Sequence, residues 1–169
     1  MSPDLVLVLG GARSGKSAYA ERLITALPPP WVYCATAQPL DGEMRERIAH
    51  HQSRRAKGWT TVETPLGLAE VIATATRPIL VDCLTLWLTN IVLAEKDAGA
   101  ETQKLLAAAR GSRAPIVFVS NEVGLGIVPD NALARQFRDH AGRLNQAVAA
   151  IANRVVFMVA GLPMVLKDE

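Results

Sequence analysis

Short, unbroken apolar runs recur along the chain. They lie at Leu5–Leu9 (LVLVL), 31–36 (WVYCAT), 78–83 (PILVDC), 115–120 (PIVFVS) and 154–160 (RVVFMVA). A strand with one face in water alternates apolar and polar residues, whereas a strand buried on both faces need not. The runs therefore predict buried strands of a parallel sheet. The segments between them have helical spacing. Over 131–152, Leu133, Phe137, Ala141, Leu144, Val148 and Ile151 recur every three or four residues, with Arg135, Arg138, Asp139 and Arg143 on or near the other side. Strands alternating with helices mean βαβ units. LPPP at 27–30 ends the first helix, because proline cannot continue it. No repeat, low-complexity tract or linker interrupts the pattern, so a single doubly wound α/β domain is expected over residues 1–169.

Composition narrows the class. Of the 169 residues, 50% are hydrophobic and 20% charged, which suits a globular protein rather than a disordered one. The net charge of +2 is too small to argue for a nucleic-acid partner. Arginines cluster locally at 45–55 and 135–143, a pattern better matched to small anionic ligands. Cys34 and Cys83 sit at the ends of apolar runs, where a reduced cysteine packs as a small hydrophobe, so no disulfide scaffold is expected. Asp4 and a glycine-rich loop interrupt the start of the chain, which argues against a signal peptide, and no apolar run reaches the ~18–20 residues of a membrane helix. A cytoplasmic protein is expected.

GGARSGKS at 10–17 follows the first strand and opens the first helix. It fits G-x-x-x-x-G-K-[ST] through Gly10, Gly15, Lys16 and Ser17. Glycines let such a loop turn successive backbone N–H groups toward phosphate oxygens, and the helix N-terminus adds partial positive charge. Lys16 is placed to neutralise the β- and γ-phosphates, and the Ser17 hydroxyl to ligate Mg²⁺. A nucleoside triphosphate ligand and a P-loop NTPase-type (RecA-like) parallel sheet flanked by helices follow. Asp82 ends the run PILVD, where P-loop proteins hold Mg²⁺ with a carboxylate; a strand-terminal aspartate that caps the next turn is the plainer alternative. Phosphate loops serve kinases, ATPases and nucleotidyl transferases alike, so the reaction has to be read elsewhere.

His50, His51 and His140 are the only three histidines, and the first two are adjacent within RIAHHQSRR at 47–55. Residues 42–57 carry a helical pattern. At ~100° per residue, Ile48, His51 and Arg55 fall within ~40° of Met44, while His50 lies ~120° away. His51 therefore shares the inner stripe, with Arg47 and Arg55 four residues to either side, and His50 faces solvent. Two arginines disfavour protonation of His51 and keep its imidazole a neutral nucleophile. They can also hold the phosphates it attacks. A partly buried structural histidine fits the same spacing.

Six segments, GGARSGKS, YCATAQ (33–38), DGEMRERIAHHQSRR (41–55), GWTTVETP (58–65), ILVDCLTLWLTN (79–90) and SNEVGLGIVPDNALARQFRDHAGRLNQAVA (120–149), together resemble the bifunctional adenosylcobinamide kinase/adenosylcobinamide-phosphate guanylyltransferase family of cobalamin biosynthesis. The likeness spans almost the whole chain. It implies phosphorylation of the aminopropanol hydroxyl of adenosylcobinamide with ATP or GTP. Transfer of GMP from GTP to that phosphate follows, through a GMP–histidine intermediate at His51. It further implies GTP contacts from Gly10, Gly11, Ala12, Arg13, Ser14, Gly15, Lys16 and Ser17, from Ala35, Thr36 and Ala37, from Gln52, Ser53, Arg54 and Arg55, and from Glu63 and Asp82. Lys16 and His51 are the expected catalytic pair, and Ser17 and Asp82 the expected Mg²⁺ ligands. Two residues depart from the family pattern: Ala56 stands where proline often follows the arginine, and Asp82 where some members carry glutamate.

The resemblance also implies a homotrimer, for which Leu86 and Trp87 are candidate exposed contacts. Asn121, Glu122 and Gly124 are expected at the ligand-bearing edge of the sheet, where they hold the corrinoid or shape the mouth of the site; a tight, glycine-rich loop with only a structural role fits the same residues. The segment 41–57 is expected to move between the two reactions, because one histidine has to reach the α-phosphorus and then leave room at the γ-phosphorus. Two rival readings remain at this point. One is a P-loop kinase of another small molecule with a structural His51; the other is a nucleotide-binding module without turnover.

Overall fold

The computed structural model describes residues 4–38, 42 and 57–169. Within them the chain runs β1 (Leu5–Gly10), α1 (Lys16–Thr25), β2 (Trp31–Ala35), β3 (Trp59–Glu63), α2 (Leu68–Ala73), β4 (Ile79–Asp82), α3 (Leu84–Leu93), α4 (Ala98–Gly111), β5 (Ile116–Asn121), α5 (Ala132–Ile151), β6 (Arg154–Val159) and β7 (Leu162–Asp168). The strands form one seven-stranded sheet in the order β3-β2-β4-β5-β1-β6-β7. All pairings are parallel except β6 with β7.

All five apolar runs are strands, and β1, β4 and β5 are buried along nearly their whole lengths. Successive side chains of a strand point to opposite faces, and here they feed two separate cores. Leu5, Leu7, Leu9, Cys34, Ile79, Val81, Ile116 and Phe118 meet α2, α3, α4 and α5 on one face. Val6, Val8, Tyr33, Leu80, Val117, Val119 and Val156 pack on the other face, where α1 supplies Ala20 and Ile24. The helix expected over 131–152 is α5, at 132–151. Asn131 caps its N-terminus by accepting a 2.9 Å bond from the Ala134 N–H. Leu133, read as an inward position, is largely exposed on the first turn of α5, before the stripe reaches the core at Ala141.

Two strands depart from the expected pattern. β3 (WTTVE) is an edge strand with no buried residue, so it lacks the apolar run that marks the others. β7 doubles back through a two-residue turn, Ala160–Gly161, with φ of 50° and 79°. It makes the sheet mixed at that edge, where only parallel pairing was expected. Among the described residues, no helix is long and apolar enough to cross a membrane.

Candidate nucleotide-binding edge

In a parallel sheet the loops that follow the strands gather at the carboxyl edge, and ligands bind there. Here that edge aligns the ends of five strands. Glu63 is in register with Ala35, Ala35 with Asp82, Asp82 with Val119, and Asn121 with Gly10.

The loop after β1 has the shape its sequence requires. Gly15, at φ +91°, is the N-cap of α1, and that left-handed conformation suits a residue without Cβ. At Gly10 a Cβ would lie 2.5 Å from the Ser14 Oγ and 2.9 Å from the Met158 carbonyl oxygen, so only glycine fits. The Ser14 N–H reaches back to the Gly11 carbonyl at 3.4 Å. From outside, the Gly161 N–H donates to the Ser14 carbonyl at 3.0 Å, so the β6–β7 hairpin braces the loop. Ala12, Arg13 and Gly15 are exposed, while the Ser14 hydroxyl is buried with no hydrogen-bond partner. Such an orphan suits a loop that awaits an acceptor.

Lys16 is the first residue of α1 and is buried, its Nζ donating to the Gly11 carbonyl at 2.7 Å. Burial pulls its ammonium below the ordinary lysine value, and Cys83 and Asp82 push it back up. Lys16 thus lies within electrostatic reach of the end of β4. There the Tyr33 phenol, itself buried, donates to Asp82 Oδ2 at 3.1 Å. Ser17 follows Lys16 at the start of the same helix and is half-buried.

The remaining expected contacts divide. Ala35 and Ala37 are half-buried at and beyond the end of β2. Thr36 is fully buried, and its hydroxyl is spent on Cys83: it donates to the Cys83 carbonyl at 2.7 Å and accepts from the Cys83 N–H at 2.9 Å. The Thr36 carbonyl accepts from Asn90 Nδ2 at 2.8 Å. Thr36 thus fixes the β4–α3 junction rather than offering a free hydroxyl. Glu63 is exposed at the end of β3, with three strands between it and β1, which leads into the loop. His51, Gln52, Ser53, Arg54 and Arg55, with the helical phase read for 42–57 and its expected movement, lie outside the described residues.

Asn121 and Glu122 are at the carboxyl edge as expected. The Glu122 N–H donates to the Gly10 carbonyl at 3.1 Å, and its carboxylate accepts the Gly124 N–H at 2.6 Å. The reading of Trp87 as an exposed contact is overturned. Trp87 is 1% exposed, and its indole N–H donates to the Leu66 carbonyl at 3.0 Å; Leu86 is half-buried. An amphipathic helix at the surface would have shown one of the two, but α3 is apolar nearly all round and lies inside the larger core. Among the described residues, the exposed apolar ones include Leu125, Ile127 and Val128 after β5, and Leu162, Met164 and Leu166 in β7. Sequence reading gave no role to Tyr33 or to the polar group Thr85, Ser120 and Asn145. A tyrosine inside an apolar run looks like core, and only the register of β2 with β4 shows what its hydroxyl meets.

Comparison with known proteins bears on the fold and on the family. The chain resembles in fold the flagellar accessory protein FlaH from Methanocaldococcus jannaschii, at a TM-score of 0.51 and 13% identity over 99% of this chain and 80% of that one. It likewise resembles a protein of Pyrococcus horikoshii OT3, at a TM-score of 0.55 and 9% identity over 98% of this chain and 86% of that one. At such identities only the fold is shared. Sequence relatives are far nearer. The bifunctional adenosylcobalamin biosynthesis protein CobP of Pseudomonas aeruginosa is 51% identical, over 96% of this chain and 97% of that protein. The protein of the same description, CobU, from Escherichia coli is 42% identical, over 96% and 99%. Residues 6–166 match the family described as cobinamide kinase / cobinamide phosphate guanyltransferase, and the chain belongs to that family.

Proposed function

We propose that the carboxyl edge of the sheet binds the triphosphate of ATP or GTP, and that the protein carries out both reactions of its family with the residues named here. In the first reaction a hydroxyl of adenosylcobinamide attacks the γ-phosphorus, and the nucleoside diphosphate leaves. In the second, a His51 ring nitrogen attacks the α-phosphorus of GTP and expels pyrophosphate. An oxygen of the cobinamide phosphate then attacks the same phosphorus, the P–N bond breaks, and His51 is restored. A covalent histidine step divides one difficult displacement into two.

The observation that carries the reading is Lys16: a buried ammonium on the first turn of α1, bonded to its own loop and within electrostatic reach of Asp82. Such a cation costs free energy to bury and suits a site built for polyanions. Loop N–H groups and Lys16 would hold the β- and γ-phosphates, Ala35 and Ala37 would border the nucleotide, and Glu63 would lie at its far end. Gln52, Ser53, Arg54 and Arg55 would add contacts from the segment that bears His51.

The donor set suits Mg²⁺. Ser17 and Asp82 offer hard oxygen ligands, and no group of three His, Cys, Asp or Glu residues is found among the described residues. Mg²⁺ is commonly held by one or two protein oxygens, with phosphates and water supplying the rest. When bound, the ion supplies charge neutralisation on the phosphates. Tyr33 leaves Asp82 Oδ1 for that task by bonding Oδ2. Two buried, unpaired cysteines suit a reducing cytoplasm, and the apolar residues of β7 offer surface for a trimer.

The test is incubation with Mg²⁺ and GTP labelled at the α-phosphate, followed by denaturation. An acid-labile, alkali-stable protein label that vanishes in His51→Ala and persists in His50→Ala is expected. Label retained in His51→Ala would overturn the assignment. Phosphate transfer to adenosylcobinamide with no protein label would indicate the kinase alone, and nucleotide binding with neither transfer a module without turnover.

A further inference from the structure

Asn121 ends β5, the strand between the one carrying Asp82 and the one leading into the phosphate loop. Register sets its depth. Asp82 pairs with Val119 and Gly10 with Asn121, so Asn121 projects two residues beyond Asp82 and is level with the first residue of the loop. Alternation sets its face. Ile116 and Phe118 enter the larger core, and Val117 and Val119 enter the core beneath α1. Ser120 turns back to the larger side, where its hydroxyl donates to Asn145 Oδ1 at 2.7 Å. Asn121 therefore takes the α1 face, with Tyr33, Lys16 and, by the same alternation from Leu80, Asp82.

The backbone at Asn121 is held from three sides. Its N–H donates to Thr85 Oγ1 at 2.8 Å, and its carbonyl accepts from Asn145 Nδ2 at 3.2 Å. The next N–H, of Glu122, donates to the Gly10 carbonyl at 3.1 Å. Thr85 and Ser120 have their hydroxyls 3.5 Å apart, and Thr85, Ser120 and Asn145 are all buried. Buried polar side chains are costly, and here they converge on the two peptide units that flank the Asn121 Cα. The residue they fix presents a carboxamide that hydrogen-bonds to no described residue. A fixed backbone with an unengaged donor at the mouth of a phosphate loop is preorganised for a substrate oxygen.

We propose that Asn121 is a catalytic residue of the kinase reaction, its side-chain NH₂ donating to a non-bridging oxygen of the γ-phosphoryl group, across from Lys16. This rests on the nucleotide reading given above. As the substrate hydroxyl forms its bond to the γ-phosphorus, the bond to the β–γ bridging oxygen breaks. The electron pair leaves on the nucleoside diphosphate, and the hydroxyl proton passes to water. Charge on the equatorial oxygens is met by Lys16 on one side and by the neutral amide on the other. In guanylyl transfer the γ-phosphoryl belongs to the leaving pyrophosphate, so the amide matters less there.

The test is steady-state kinase kinetics and His51 labelling in Asn121→Ala and Asn121→Asp, beside the wild-type protein. In Asn121→Ala the kinase kcat should fall about 100-fold or more, on the scale of losing one preorganised donor. Its nucleotide KM should change by less than about threefold and its Tm should hold, because a uniform binding contact would move KM and a structural role would move Tm. Labelling by α-labelled GTP should keep at least about a tenth of its rate. Asn121→Asp, which sets a carboxylate against the phosphoryl oxygens, should lose more. A kcat within about threefold of wild type in folded Asn121→Ala, or equal losses in kinase and labelling rates, would overturn the proposal. Absence of both activities in the wild-type protein would instead overturn the function on which it rests.

Discussion

The two faces of the sheet do different work. One carries four helices and an almost wholly apolar core; its polar members, Thr36, Asn90, Thr85, Ser120 and Asn145, spend their side chains on each other or on the backbone. Among the described residues, the other face has α1 alone and the smaller core. Lys16 of α1 belongs to that face, as do Asp82, Tyr33 and Asn121, which come from the same strands that fill the larger core. Period-two alternation lets one strand serve both: β4 buries Val81 on one side and ends in Asp82 on the other. Stability and chemistry are thus divided between faces, one residue apart in sequence.

The division can be broken most heavily at Phe118. It is fully buried in the larger core, and Phe118→Ala should cost about 3–5 kcal/mol of unfolding free energy. Urea unfolding measures the loss. Nucleotide affinity per folded molecule should stay near wild type, and a loss of affinity beyond the loss of fold would show that the faces are not separable.

Alkali sharpens the comparison, because each face buries one cysteine. Burial pushes the Cys34 thiol, in the larger core, up to about 12. Mainly through burial, helped by Asp82, it pushes Cys83, on the α1 face, up to about 11. Both folded values lie above the ordinary thiol value of about 9 in the unfolded chain, so the folded chain holds protons that the unfolded chain has lost. This stabilising contribution is whole below pH 9. Above it, stability falls by ~1.4 kcal/mol per pH unit per thiol, until the folded value is passed. The buried Lys16, with its lowered value, opposes this slope up to its unfolded value near 10.5. Urea unfolding at pH 9, 10 and 11 should show the decline, and Cys34→Ala should flatten it by the share of one thiol. A slope unchanged in that variant would contradict the burial assigned to Cys34.

Much of this division was legible in the sequence. Continuous apolar runs marked β1, β2, β4, β5 and β6, because strands covered on both faces need no polar positions. The phosphate loop was legible because backbone geometry dictates its glycines, and Asp82 because it ends an apolar run. β3 and β7 were not, since an edge strand buries too little to leave a pattern. Trp87 was misread because helix α3 has no polar face to set its phase. Tyr33 and the Thr85–Ser120–Asn145 group were hidden for another reason. Their partners are 24 to 49 residues away in sequence, and only the packed sheet and helices bring them together.

The most direct test of a chemical face distinct from a structural one is the stabilisation by Mg–GTP of Lys16→Met, measured by urea unfolding beside the wild-type protein. At a nucleotide concentration about 100 times Kd, the wild-type protein should gain about 2.7 kcal/mol. Lys16→Met should be at least as stable as wild type without nucleotide, having lost a buried ammonium, and should gain little from the same GTP. A variant that keeps the full gain, or that is markedly less stable without nucleotide, would contradict the account.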